Sequence, residues 1–360
     1  MSRAINKQLI SDVTRITDND SHIHNGSSTL SQEATTSFFF LSDYMYGGCL
    51  TFTAHLLHTL NRKEVFRIAK RFERRKRNLG YGIRYQNVTL EYFDALKNIF
   101  ITDIFQHFEC LRKLKRKGKE EVTIVIHDPS EISKVNKPYL KYWNIITIRK
   151  SMQQFIRDRY GIDSKFIYHP FYLYPIQQAD NEQKMYAVSI SRIDFNKNIE
   201  IILDANKRAR NPVKIYGWAN KNYVSQKLDP IAYSKYYQGK YVKSFNATSE
   251  ILRKVKFMVD LSFLPNDGGG TQYTFLDAIY HNCAVILNRQ WIENVDPKYR
   301  DFKEGENCYA VSNAEELKEL LNNAENIDTS KIVQNARKLL DRHVNAVNWN
   351  KEVISMQCEQ

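Results

Sequence analysis

Short apolar runs alternate with amphipathic runs along most of the chain, and this alternation restricts the fold more than any other feature. Ser37-Phe38-Phe39-Phe40-Leu41-Ser42, Val65 to Ala69, Ile83 to Leu90, Ile99 to Phe105, Val122 to Ile126, Asn144 to Ile148 and Lys165 to Tyr168 read as strands. Between them, Leu50 to Leu60, Tyr92 to Asn98, Gln106 to Gly118 and Lys150 to Tyr160 read as helices. This rhythm predicts an α/β fold with parallel sheets covered by helices on both faces. It breaks over residues 171–184, around Pro175 and the polar run Gln177 to Gln183, and resumes at Met185. New strands follow at Tyr186 to Ser189, Val213 to Tyr216, Phe257 to Leu261 and Ala284 to Leu287, with helices at Asn198 to Ala209 and Ala314 to Asn323. Two Rossmann-like domains facing a central cleft are therefore expected, at residues 36–175 and 185–330. Residues 331–360, including Lys331 to His343 and Trp349, are expected to cross back to the first domain. Residues 1–35 are polar and read as a tail or accessory segment, so the Asp18-Asn19-Asp20 triplet there reads as a solvated turn and not a metal site.

Glycines punctuate two of the strand–helix turns. Asp267-Gly268-Gly269-Gly270-Thr271-Gln272 joins the strand at Phe257 to the helix from Tyr273 to Tyr280. Glycine lets backbone approach an anion closely, and the helix N-terminus favours a phosphate there. Asp277, further along that helix, is placed to accept hydrogen bonds from a ribose. Tyr44-Met45-Tyr46-Gly47-Gly48-Cys49 repeats the arrangement in the first half. Neither turn fits GxGxxG, which disfavours a nicotinamide or flavin cofactor.

Ser191-Arg192-Ile193-Asp194-Phe195-Asn196-Lys197-Asn198 follows a strand and opens a helix. Two cations held there can neutralise a diphosphate leaving group without a metal. His127-Asp128 ends a strand on the cleft side, where an imidazole can bind a sugar hydroxyl and a carboxylate can act as base or orient an acceptor. The sequence contains no GxSxG, HExxH or Walker motif, which weakens hydrolase, metalloprotease and P-loop readings.

The chain has 360 residues and a formal net charge of +13. An acidic partner is implied: nucleic acid, an anionic membrane surface or a polyphosphate ligand. Asn61 to Asn78 carries nine Lys or Arg against two Glu, among them Arg71, Arg74, Arg75, Lys76 and Arg77. Leu111 to Lys119 adds Lys113, Lys115 and Arg116. Such density suits a phosphate backbone or an anionic headgroup. A pair of solvated helix faces is the plain alternative. Five scattered cysteines without CxxC spacing suggest neither a zinc site nor a disulfide framework, and a soluble, reducing, cytoplasmic setting is expected.

Together these residues resemble the GT-B glycosyltransferases, in particular the retaining enzymes with a Glu-x7-Glu element. The likeness runs over most of the chain from about residue 36. It implies that Arg192 and Lys197 hold the donor pyrophosphate and that Gly270 and Thr271 offer backbone N–H groups to the phosphates. It implies further that Asp277 takes the ribose, Gly47 and Gly48 form the first-domain glycine loop, and His127 stands near the transferred sugar. The earlier acid of the paired element falls at Gly269 and is absent, with Asp267 as its substitute. Shorter pieces resemble the DNA α-glucosyltransferases of T-even phages: Gly48-Cys49 with Thr51, His127-Asp128 with Ser130, and Tyr273-Thr274 with Leu276 and Asp277. The resemblance implies a hexosyl- or pentosyltransferase that uses a nucleotide sugar as co-substrate, a UDP-sugar being favoured, retains configuration and requires no metal. The favoured acceptor is hydroxymethylcytosine in double-stranded DNA. A lipid or glycan at an anionic membrane surface, a sugar-nucleotide epimerase, and a non-catalytic nucleic-acid-binding protein on a degenerate scaffold stay open.

Overall fold

A computed structural model describes residues 36–41, 47–104, 108–119, 121–132, 137–176, 186–345 and 349. The expected N-terminal segment, with Asp18-Asn19-Asp20, lies outside the described residues, as do the polar run Gln177 to Gln183 and the positions after Trp349.

The first sheet contains β1 (Ser37–Phe40), β2 (Glu64–Ile68), β3 (Arg77–Gly80), β4 (Ile83–Val88), β5 (Ile99–Asp103), β6 (Val122–Ile126), β7 (Asn144–Thr147) and β8 (Lys165–Phe166). Their order is β3-β4-β2-β1-β5-β6-β7-β8. Neighbours are parallel except β3, which runs antiparallel to β4. The second sheet has β9 (Tyr186–Ile190), β10 (Lys214–Tyr216), β11 (Tyr237–Gly239), β12 (Val255–Asp260), β13 (Ala284–Asn288) and β14 (Tyr309–Val311). It is parallel throughout, in the order β11-β10-β9-β12-β13-β14.

Helices on both faces explain why β5 and β13 are buried at every position and read as unbroken apolar runs. The first basic run corrects the helix-face alternative. Its residues form β2, an irregular segment and β3, which turns into β4 through Gly80, Tyr81 and Gly82, all at positive φ. Left-handed backbone at three successive residues produces the tight antiparallel return that the parallel expectation omitted.

Three apolar clusters hold the molecule together. One backs the first sheet (Phe39, Ile101, Leu114, Ile124, Ile156), and another backs the second (Ile199, Ile202, Ile286, Leu317). The largest joins the two lobes, bringing Phe38, Phe52, Leu56 and Phe100 together with Met258, Tyr273, Phe275 and Trp349. The helix Gly48–Thr59 is buried continuously from Leu50 to Leu57, because its apolar residues surround it and it has neighbours on all sides. The helix Ser330–Asn345 leads back toward the first lobe: His343 Nδ1 lies 3.0 Å from the carbonyl of His169, and the Trp349 indole donates to the carbonyl of Tyr168 at 3.2 Å.

Chain order reverses direction between β1 and β5 in one sheet and between β9 and β12 in the other. Crevices at such switch points, beyond the carboxyl ends of the strands, are where open α/β sheets receive ligands. Gly47 and Gly48 come after β1, Asp103 ends β5, and Arg192 follows β9. All four line one cavity.

Candidate active site

The cavity measures about 460 Å³ and has walls of opposite character. The second-lobe wall is cationic. Lys197 leaves β9 through a turn in which its N–H donates to Asp194 O at 2.9 Å. Its ammonium lies 2.5 Å from Ser262 Oγ, 3.2 Å from Gln272 Oε1 and 3.7 Å from Asp260. Burial lowers the Lys197 pKa, and Asp260 opposes that shift. Gln272 is the N-cap of the helix Tyr273–Tyr280, so this cation sits at the positive end of a helix. Like charges gathered this way are unfavourable alone and become favourable when an anion arrives. Arg192 adds a third source of positive potential. Its side chain is 42% exposed and only loosely paired with Asp194, at 3.7 Å. A Cβ on Gly47 would lie 3.6 Å from Arg192 Cδ, so the first-lobe glycine gives the arginine room across the gap.

The first-lobe wall is acidic. Asp103, Asp128 and Glu131 line it with His127 and Cys49. Asp128 caps the short turn Pro129–Glu131, accepting from Ser130 N at 2.8 Å. His127 sits 2.8 Å from Thr102 O through Nε2, and burial lowers its pKa to about 4, against that hydrogen bond. Burial and then Asp128 and Asp103 push the Glu131 carboxyl well above its ordinary range.

The structure places several anticipated residues elsewhere. The Asp267 carboxylate does not face the cavity: it takes two hydrogen bonds from Arg149, at 2.9 and 2.5 Å, and one from Ser151 Oγ at 2.9 Å. The Gly269 N–H is committed to Trp291 O at 2.6 Å. Gly270 O accepts from the Trp291 indole at 3.0 Å, and Thr271 Oγ1 lies between His169 and His343. The residues that bring the helix end to the cavity are Gln272, Tyr273 and Thr274. Close packing accounts for these glycines: a Cβ on Gly268 would meet Trp291 O at 2.6 Å, and one on Gly270 would meet Arg149 Cγ at 2.8 Å. Asp277 accepts from the Tyr174 hydroxyl at 2.7 Å and lies off the cavity lining. Of the eight basic residues singled out for an acidic polymer, none lines the cavity. Lys76 pairs with Glu64 and Arg77 with Glu73, Lys113 reaches Leu90 O at 3.4 Å, and Lys115 lies 4.5 Å from the Tyr142 ring centre. Arg71, Arg74, Arg75 and Arg116 are also outside it.

Asp103, Glu131, Arg149 and Trp218 line the cavity and were not anticipated. Asp103 carried a legible signal, an acid closing an apolar strand. Arg149 carried none, since its partner lies 118 positions away.

Asp277 makes stability depend on pH. Burial pushes its carboxyl up to about 7, against the Tyr174 hydrogen bond. The folded protein thus holds this proton where the unfolded chain releases it. That contribution is whole below about pH 4 and disappears as pH rises to about 7. It amounts to at most about 4 kcal/mol. The Asp277→Asn variant should lose less melting temperature than the parent across this window. Parallel pH profiles for the two proteins in thermal melts would refute the assignment.

No family model and no curated protein sequence matches the chain. Solved structures do. Anabaena HepE in complex with UDP-glucose is similar over 91% of this chain and 100% of its own, with 13% identity and a TM-score of 0.66. A glycosyltransferase from Rickettsia africae is similar over 90% and 99%, with 11% identity and a TM-score of 0.60. The lipopolysaccharide outer core galactosyltransferase WaaB is similar over 88% and 100%, with 14% identity and a TM-score of 0.56. Among the described residues, no helix is long and apolar enough to cross a membrane. With its two facing parallel-sheet lobes, a cleft at both switch points and these structural likenesses, the chain has the GT-B fold.

Proposed function

We propose that the chain is a glycosyltransferase that draws its sugar from a UDP-sugar. The observation that carries this reading is the meeting of Lys197, Arg192 and a helix N-terminus on one wall, opposite a wall of carboxylates. The first wall suits a diphosphate and the second suits sugar hydroxyls. Donor binding in HepE, over a similar chain length, supports the choice of nucleotide. In a retaining reaction the bond from the anomeric carbon to the phosphate oxygen breaks and the bond to the acceptor oxygen forms on the same face. The acceptor proton goes to the departing phosphate. Arg192, Lys197 and the amides of Tyr273 and Thr274 stabilise the charge that develops on UDP. Turnover then requires no metal, and a chelator does not lower it. Gly47 and Gly48 border the sugar, and His127 and Asp128 orient it and its acceptor.

The acceptor that best suits the acidic wall is a neutral, hydroxyl-rich glycan or the glycan of a lipid. A phosphodiester brought against Asp103 and Asp128 would be repelled. WaaB, a structural neighbour, is a galactosyltransferase of the lipopolysaccharide outer core, a glycolipid, and this supports the choice. A second reading, hydroxymethylcytosine in duplex DNA, is favoured by the +13 charge and by Arg71, Arg74, Arg75 and Arg116, and it requires the base to leave the stack. One experiment tests both: the protein is incubated with UDP-glucose, UDP-galactose or UDP-N-acetylglucosamine and with glycan, glycolipid or hydroxymethylated DNA, and products are read by mass spectrometry. Sugar on the glycan is the expected result. Sugar on the base alone would shift the assignment to DNA. Absence of UDP binding by calorimetry would overturn the enzyme reading.

A further inference from the structure

We propose that Cys49, His127 and Glu131 form a binding site for a divalent transition metal of the zinc class, inside the acceptor half of the cleft. The three residues come from two elements that meet beneath the acidic wall. Cys49 lies in the first turn of the helix Gly48–Thr59, and its Sγ donates to Glu131 Oε1 at 3.2 Å. Glu131 Oε2 accepts from the His127 N–H at 2.8 Å. One ligand atom from each of the three lies within 4.8 Å of the others. Tetrahedral zinc, with bonds of about 2.0–2.3 Å, holds its ligand atoms about 3.5 Å apart. Small side-chain rotations cover the difference.

The surroundings are those of a metal ligand set. The Thr102 carbonyl, an acceptor only, lies 2.8 Å from His127 Nε2. The imidazole proton is therefore on Nε2 and the lone pair on Nδ1, the tautomer that outer-shell carbonyls impose on metal-binding histidines. Asp103 and Asp128 line the cavity beside the three ligands, and their negative charge favours a dication there. Arg149 is close by, but its guanidinium is committed to Asp267 and the His127 carbonyl. On binding, the metal displaces the thiol proton and the Glu131 carboxyl proton to solvent and takes thiolate, imidazole and carboxylate, with a fourth position open to the cavity. Metal there occupies space an acceptor needs, so it acts as an inhibitor and not as a cofactor. The site stands whether or not the donor is a UDP-sugar.

The test is titration of metal-free, full-length protein with Co²⁺. The expected result is a saturable thiolate-to-cobalt charge-transfer band, with tetrahedral ligand-field bands that Zn²⁺ abolishes. Cys49→Ser should lose the charge-transfer band entirely, Glu131→Gln should bind at least about tenfold more weakly, and Cys308→Ser should keep the band. Absence of the band in the parent, or its survival in Cys49→Ser, would overturn the proposal. Alkylation of the parent by iodoacetamide, read at Cys49 by mass spectrometry, probes the same ligand without a variant. Zn²⁺ should protect that thiol, and unchanged labelling would count against the site.

Discussion

Lys197→Ala should lower kcat for a UDP-sugar by about 10²–10³-fold, the usual cost of removing one fixed group that stabilises developing charge. The ammonium lies at the helix N-cap, where charge on the leaving diphosphate adds to the positive end of the dipole. The substitution should leave the fold intact. Asp260, the nearest buried carboxylate, keeps hydrogen bonds from Ser262 N at 2.9 Å and Thr274 Oγ1 at 3.3 Å when the lysine is gone. The loss should therefore appear in kcat and kcat/KM together, with only a modest drop in melting temperature as buried Asp260 loses a cation 3.7 Å away. Arg192→Ala should cost less, because its guanidinium is 42% exposed and water screens it. Near-parental kcat in Lys197→Ala would remove the pyrophosphate from this wall, and the donor assignment with it.

The cationic pair was legible because its signal is local. Arg192 and Lys197 lie between a strand and a helix, and in a parallel α/β sheet that junction opens onto the ligand crevice. The helix Tyr273–Tyr280 was legible for the same reason. Which residues of the preceding loop meet the cavity was not. The loop's path is decided by Trp291, Val295 and Arg149, all distant in sequence, and their contacts turn Gly269 inward and carry Gln272 to the cleft. Three glycines in a row look like a phosphate cradle whether they cradle a phosphate or pass a tryptophan carbonyl. The antiparallel β3 was hidden differently. Its residues begin with Arg77 and Asn78, with no apolar alternation, because an edge strand exposes them. Glu131 was obscured by the turn it belongs to: an acid after Asp-Pro reads as a cap, and only the packing of Cys49 and His127 against it reveals a buried wall.

The largest expected effect on stability lies at Arg149 and Asp267. Their side chains are 6% and 0% exposed, and the two hydrogen bonds between them join the end of β7 to the glycine loop of the other lobe. Taking either charge away leaves the other buried without its counter-charge, so Arg149→Met should destabilise the protein by about 3–5 kcal/mol. Asp267→Leu should cost a similar amount. The double variant Arg149→Met/Asp267→Leu should be more stable than the sum of the two losses requires, with a coupling of about 1–3 kcal/mol. Urea unfolding of the four proteins measures this, and simple additivity would show that the pair does not act as a unit. Turnover should follow a different pattern. The Arg149 guanidinium also donates to the His127 carbonyl, so it ties the acidic wall to the loop that leads to the donor helix. Restoring stability with two apolar side chains should therefore leave kcat depressed, because the walls are packed again but no longer held in register across the cleft.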